Sequence, residues 1–174
     1  MPQLTNCIGM MDEGIACVRE IVPSMPVPEA ALARLLLLVG GSVQEGLDQA
    51  LKPHRLNDSE FLTLMILFSR PDGNSTPGEL CEYTSQGATN MTRIANTLLQ
   101  RGLITRGSSD RDRRRVMIHI TPGGRRFVKK MLPQMFPRIS AAFCNFSAAD
   151  KRHLDRLLRK LAHNLDRITE DTQP

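Results

Sequence analysis

Nine basic side chains fall within residues 106–130: Arg106, Arg111, Arg113, Arg114, Arg115, Arg125, Arg126, Lys129 and Lys130, against Asp110 and Asp112 alone. The window carries +7 in a chain whose net charge is +5, which leaves −2 for everything else. Charge concentrated in this way makes a directed electrostatic surface suited to a polyanion. Strand-like runs flank the cluster Asp110-Arg111-Asp112-Arg113-Arg114-Arg115, so it reads as the tip of a hairpin. Arg113 and Arg114, with Arg111 beside them, are expected to reach a minor groove, where a narrow A·T-rich stretch concentrates negative potential. Asp112 alone would repel phosphate; its expected role is to hold a neighbouring arginine in one rotamer, so that less entropy is lost on binding. Arg125, Arg126, Lys129 and Lys130 either touch flanking phosphates or form a solvated face.

Upstream, Thr89, Asn90, Thr92 and Arg93 open a segment whose apolar residues Met91, Ile94, Ala95 and Leu98 repeat at helical spacing. Asn can pair bidentately with adenine, Arg with guanine, and Thr can meet a thymine methyl, so these four are candidate readers of base edges in a major groove. Asn96 and Gln100 lie farther along the same face and are expected to be solvated.

These groups need a scaffold, and the sequence outlines one. Leu4, Ile8, Met11, Ile15 and Val18 suggest an amphipathic helix over residues 4–22, and Pro23, Pro26 and Pro28 a connector. A long helix from Glu29 to Leu51 is apolar around most of its circumference near Leu35–Val39, which calls for a second partner, naturally another protomer; Gly40-Gly41 weakens or bends it. Asn57 to Glu60 and Thr76 to Glu79 are helix-start signals, and Pro71-Asp72-Gly73-Asn74 is a turn between them. The second start opens a short helix that Thr84-Ser85-Gln86-Gly87 breaks before the Ala88–Arg101 helix, the outline of a helix-turn-helix. Leu103–Arg106 and Val116–Thr121 then form strands, with Val116, Ile118 and Ile120 on one face. A helix-turn-helix followed by a hairpin is a winged helix. Pro133 and Pro137 are expected to kink or interrupt the next helix, since an interior proline costs about 3 kcal/mol. Ser147 caps a last helix, with Leu154, Leu157, Leu158, Leu161, Leu165 and Ile168 in one apolar seam that must pack on something.

The fold class is therefore mainly α with a small two- or three-stranded β wing: a winged helix-turn-helix at 56–121, an N-terminal extension and linker at 1–27, and N- and C-terminal dimerisation helices at 28–55 and 122–174. An aromatic share of 4% without Trp argues against a stacking platform for single strands and favours duplex DNA. Cys7, Cys17, Cys81 and Cys144 are scattered, and His54, His119, His153 and His163 lack ligand spacing, so no metal and no cofactor are expected. No nucleophile elbow or phosphate loop suggests an enzyme. The acidic interruptions of the N-terminus and the shortness of the Leu35–Val39 run imply a cytoplasmic protein without a membrane partner. Met65, Phe68 and Met131 are candidates for an adaptable ligand pocket, with ordinary core as the alternative. Two other readings stand beside DNA binding: peroxide sensing through Cys7 or Cys17 within the same fold, and a winged helix that binds protein.

The run Asp110-x-Asp112-Arg113-Arg114 with Val116-x-Ile118-x-Ile120-Thr121-Pro122-x-Gly124 is similar to the wing signature of the MarR family of winged-helix repressors. Thr89-Asn90-x-Thr92-Arg93-Ile94-Ala95 and Arg101-Gly102-Leu103-Ile104 resemble that family's recognition helix and its exit, and the likeness spans roughly residues 56–126. The N-terminal extension, the Thr89–Ala95 segment and the prolines Pro133 and Pro137 look most like the branch that represses multidrug efflux operons. The resemblance implies a homodimer on a double-stranded, pseudo-palindromic DNA operator, released by a small hydrophobic, often weakly acidic aromatic effector. Arg115 departs from the pattern of the wing.

Overall fold

The computed structural model describes residues 3–108 and 116–171; the basic tip that includes Arg111, Asp112, Arg113 and Arg114 lies outside the described residues. The chain divides into two compact units, residues 1–131 and 132–174.

In the first unit, α1 (Leu4–Ile21) packs along α2 (Val27–Leu51). Pro28 sits in the first turn of α2 rather than in the connector, because a first-turn proline forfeits no helical hydrogen bond. A 3-10 turn, Lys52–His54, ends α2, and Arg55 takes the left-handed conformation at φ 53°. That turn is tied down from a distance: the Arg101 guanidinium donates to the Arg55 carbonyl at 2.7 Å and the His54 carbonyl at 2.9 Å, and lies over the Phe127 ring.

α3 (Asp58–Ser69) begins with a reciprocal cap between Asn57 and Glu60, as the sequence signal requires. β1 (Asn74–Ser75) follows, then α4 (Pro77–Thr84), α5 (Ala88–Gln100), β2 (Ile104–Ser108) and β3 (Val116–Ile120). The sheet is antiparallel in the order β1-β3-β2, with Ile104 opposite Ile120 and Ser75 opposite Ile118. Leu51, Leu64, Leu67, Leu80, Met91, Ile94, Leu98, Ile104 and Ile118 are each 0–1% exposed and form the core under α5; full burial of such a side chain contributes about 1.5–3 kcal/mol. Ile118 and Ile120 are buried, whereas Val116, two residues from Ile118 on the same alternation, is 52% exposed.

α6 (Pro122–Ala142) continues through Pro133 and Pro137, so of the two expected outcomes, a kink or an interruption, the prolines do not interrupt the helix. The two prolines are four residues apart and both exposed, so the carbonyls they leave unpaired fall on one solvent-facing side where water can serve them.

The second unit contains the end of α6 and α7 (Ala148–Asp171). Ser147 and Asp150 cap α7 reciprocally: the Asp150 amide donates to Ser147 Oγ, and the Ser147 amide and hydroxyl donate to Asp150 Oδ2. The seam residues Leu157, Leu158, Leu161, Leu165 and Ile168 are all exposed in the single chain. α2 likewise exposes Leu32, Leu37 and Val43. By length and composition the helix Val27–His54 is long and apolar enough to cross a membrane, with mean hydropathy 1.3 over an 18-residue window. The core helix of a globular protein meets the same criterion, and the exposed leucines of α2 leave an apolar face to be covered.

Candidate nucleic-acid interface

α4 supports α5, and its own start is held from several directions. Glu79 donates its amide to Thr76 Oγ1 at 3.2 Å. Its Oε2 accepts from the Thr76 amide at 3.4 Å, from Ser75 Oγ at 2.7 Å and from the Arg70 guanidinium at 2.6 Å. The Ser75 hydroxyl first, then Arg70, holds the Glu79 carboxyl below the usual carboxylate range. Arg70 also donates to the Asn74 carbonyl and lies over the Tyr83 ring, so β1, α3 and α4 meet at one carboxylate. Because the folded pKa is lowered, this stabilisation is present above the ordinary carboxylate pKa and is lost as pH falls through the lowered value. Glu79→Gln is therefore expected to destabilise the protein at about pH 7, with the gap to the parent closing as pH falls below the ordinary carboxylate range; urea unfolding across a pH series checks it.

The turn from α4 to α5 uses Ser85 at φ 51°, a left-handed position where a side chain is strained, and Gly87 then caps α5. On α5, Thr89, Thr92, Arg93, Asn96 and Gln100 are exposed and Asn90 is half-buried, while Met91, Ile94, Ala95 and Leu98 face the core. The four candidate reading residues thus lie on one side of the helix, near its start. Thr92 Oγ1 donates to the Ala88 carbonyl at 2.9 Å, which satisfies its hydroxyl locally. Asn90 has both ends of its amide occupied: Nδ2 donates to Gln86 Oε1, and Oδ1 accepts from Arg93 Nε at 3.1 Å and Nη2 at 2.9 Å.

Asn96 was expected to be merely solvated, yet its Oδ1 accepts from Arg106 Nη2 at 2.7 Å. The bond joins α5 to the base of the wing on β2. The sequence offered no signal for it, because the partners are ten residues apart on different elements. Arg125 is half-buried, and its Nη1 donates to the Phe68 carbonyl at the end of α3 at 3.5 Å. Arg126 and Lys129 are exposed on the first turns of α6. Met131 is 1% exposed and belongs to the core, while Met65 and Phe68 are half-buried on α3. Two open grooves, of about 550 and 410 Å³, run along α1 and α2, with Ile15 in both. Cys7 is half-buried and Cys17 exposed, both free on α1.

Together, the buried-core α3–α4–α5 arrangement, the exposed polar face of α5 and the three-stranded sheet beside it define a winged helix-turn-helix. The model of the MarR family matches residues 55–115. The transcriptional repressor MprA of Escherichia coli K12 is 32% identical over 146 residues, covering 84% of this chain and 83% of that protein. The fold is shared with a mutant MarR from E. coli complexed with operator DNA, at TM-score 0.66, 24% identity and coverage of 82% and 96% of the two chains. It is shared also with CouR from Rhodococcus jostii RHA1 bound to p-coumaroyl-CoA, at TM-score 0.67, 21% identity and coverage of 75% and 91%. The chain belongs to the MarR family of transcriptional regulators.

Proposed function

We propose that this protein is a homodimeric repressor that binds a pseudo-palindromic operator and leaves it when a small hydrophobic or weakly acidic aromatic compound binds, controlling an operon for multidrug efflux or a related stress response. The observation that carries the reading is α5: its apolar side is sealed in the core while Thr89, Thr92 and Arg93 stand exposed at its first turns, next to a segment of +7 net charge. Such a helix enters a major groove N-terminal end first, and the arginine-rich wing reaches the adjacent minor groove. Residues 28–55 and 122–174 would form the dimerisation region, so that the exposed leucines of α2 and α7 are covered by a second copy. The effector class is suggested by the resemblance to efflux repressors and by the acyl-CoA-bound neighbour. A ligand shifts the two-state equilibrium only by its differential affinity, so it must favour the conformer that fits DNA poorly.

The reading is tested by fluorescence anisotropy on duplexes from the protein's own promoter region across a salt series. Affinity is expected to fall steeply with salt as counterions are released. Arg114→Ala should weaken operator binding without unfolding the protein and reduce the salt slope by about one. Binding that ignores salt, or a variant indistinguishable from the parent, would sink it.

A further inference from the structure

Across the helix-turn-helix runs a chain of polar bonds with a fixed direction. Gln86 Nε2 donates to the Thr84 carbonyl at 3.2 Å. Gln86 Oε1 accepts from Asn90 Nδ2, and Asn90 Oδ1 accepts from both Nε and Nη2 of Arg93. Each amide is engaged at its oxygen and its nitrogen, so neither can flip without losing bonds at both ends. The chain starts at a fixed point, because Thr84 is buried at the end of α4 and its hydroxyl donates to the Leu80 carbonyl at 2.6 Å. The spacing is that of helical neighbours: Gln86 and Asn90 are four residues apart, Asn90 and Arg93 three.

The consequence lies in what Arg93 has left. A guanidinium carries five N–H groups in a rigid plane. Asn90 takes the edge formed by Nε and Nη2, which leaves both Nη1 hydrogens and one on Nη2, including the end-on pair that matches O6 and N7 of guanine. Asn90, by contrast, has spent its acceptor on Arg93 and a donor on Gln86, and so lacks the free donor-acceptor pair that adenine requires. We propose that Gln86 and Asn90 are positioning residues that aim the Arg93 guanidinium at a guanine in the major groove, and that Arg93, rather than Asn90, sets the sequence preference of α5. Aiming the side chain before contact reduces the rotamer freedom that binding would otherwise remove. The proposal rests on the DNA-binding reading above and assigns its specificity to one side chain.

The test selects duplexes with the full-length protein from a pool with a randomised core, then measures every single-base-pair variant of the selected site by anisotropy at one salt concentration. The parent is expected to prefer G·C about tenfold or more at one position of each half-site. Arg93→Ala should abolish that preference, and Asn90→Ala should flatten it at the same position while leaving the salt slope unchanged. The double variant should be no worse there than Arg93→Ala alone. Asn90→Asp keeps an acceptor for Arg93 and should retain the preference even though its added negative charge lowers affinity overall. A mere packing defect would not restore base preference in this way. If Asn90→Ala instead erases an A·T preference at a different position and leaves the guanine position intact, or if the two variants are additive, Asn90 reads its own base and the proposal is overturned. A parent that enriches no duplex overturns the DNA-binding reading itself, a distinguishable result.

Discussion

Gly124→Ala is expected to destabilise the protein by about 2–3 kcal/mol, near the upper end of the cost of overpacking a filled site. A Cβ there would lie 2.2 Å from the Leu103 carbonyl oxygen and 2.9 Å from Ile120 Cγ1. Ile120 could adjust, but the carbonyl cannot, because it already accepts from the Thr121 amide at 3.0 Å and lies 3.2 Å from the Thr121 hydroxyl. The Gly124 amide in turn donates to that hydroxyl at 2.8 Å, closing the first turn of α6 against the start of the wing. The glycine is therefore required by close approach of the backbone. Its neighbour Gly123 is a built-in control: a Cβ there meets the Thr121 hydroxyl at 3.4 Å and the Gly102 carbonyl at 3.7 Å, ordinary contacts. Gly123→Ala should be neutral or stabilising by up to roughly 1 kcal/mol through helix propensity. Urea unfolding of the two variants should give opposite or sharply unequal shifts in midpoint with little change in slope, and equal shifts would show that close approach is not what Gly124 provides.

The same segment shows why part of this fold could be read from sequence and part could not. Caps and turns are local: Asn57 with Glu60 and Thr76 with Glu79 signal helix starts because the reciprocal bonds join residues three apart, and both boxes are present. Asn74 belongs to the Pro71–Asn74 turn signal, and the rest of β1 is the single residue Ser75; their strand partners, His119 and Ile118, lie over forty positions away. Pairing at that range leaves no periodic trace in a two-residue strand. The candidate site divides in the same way. That Thr89, Thr92 and Arg93 share an exposed face follows from helical periodicity. The Gln86–Asn90–Arg93 spacing was equally visible, yet composition alone gives an asparagine on such a helix the role of a base reader; only the positions of Gln86 and the Thr84 carbonyl show that its amide is occupied. Asn96 and Arg106 meet across two elements, so neither one's neighbours in sequence announce the other.

Replacing Leu161 and Leu165 together by aspartate is expected to convert the proposed dimer to a monomer and to weaken operator binding by about 100-fold or more. Both side chains stand exposed on α7 in the single chain, at 37% and 54%, in line with Leu157, Leu158 and Ile168. Arg159 is engaged within the same helix by the Asp155 carboxylate at 2.9 Å, whereas the leucine seam stands uncovered in the single chain. Covering each leucine contributes about 1.5–3 kcal/mol, whereas an aspartate in its place would have to be desolvated without a partner. α7 should nevertheless stay helical, since the Ser147–Asp150 cap and the Asp155–Arg159 pair are untouched. Loss of DNA binding then follows from geometry rather than from unfolding: two linked recognition helices engage two half-sites with an effective concentration in the millimolar range, and a lone winged helix forfeits that advantage of about 10²–10⁴. Sedimentation velocity gives the mass, circular dichroism the helix content, and anisotropy the affinity. A double variant that still sediments as a dimer would place the interface on a different surface, and one that becomes a monomer yet binds the operator as tightly as the parent would show that α5 does not need to be presented twice.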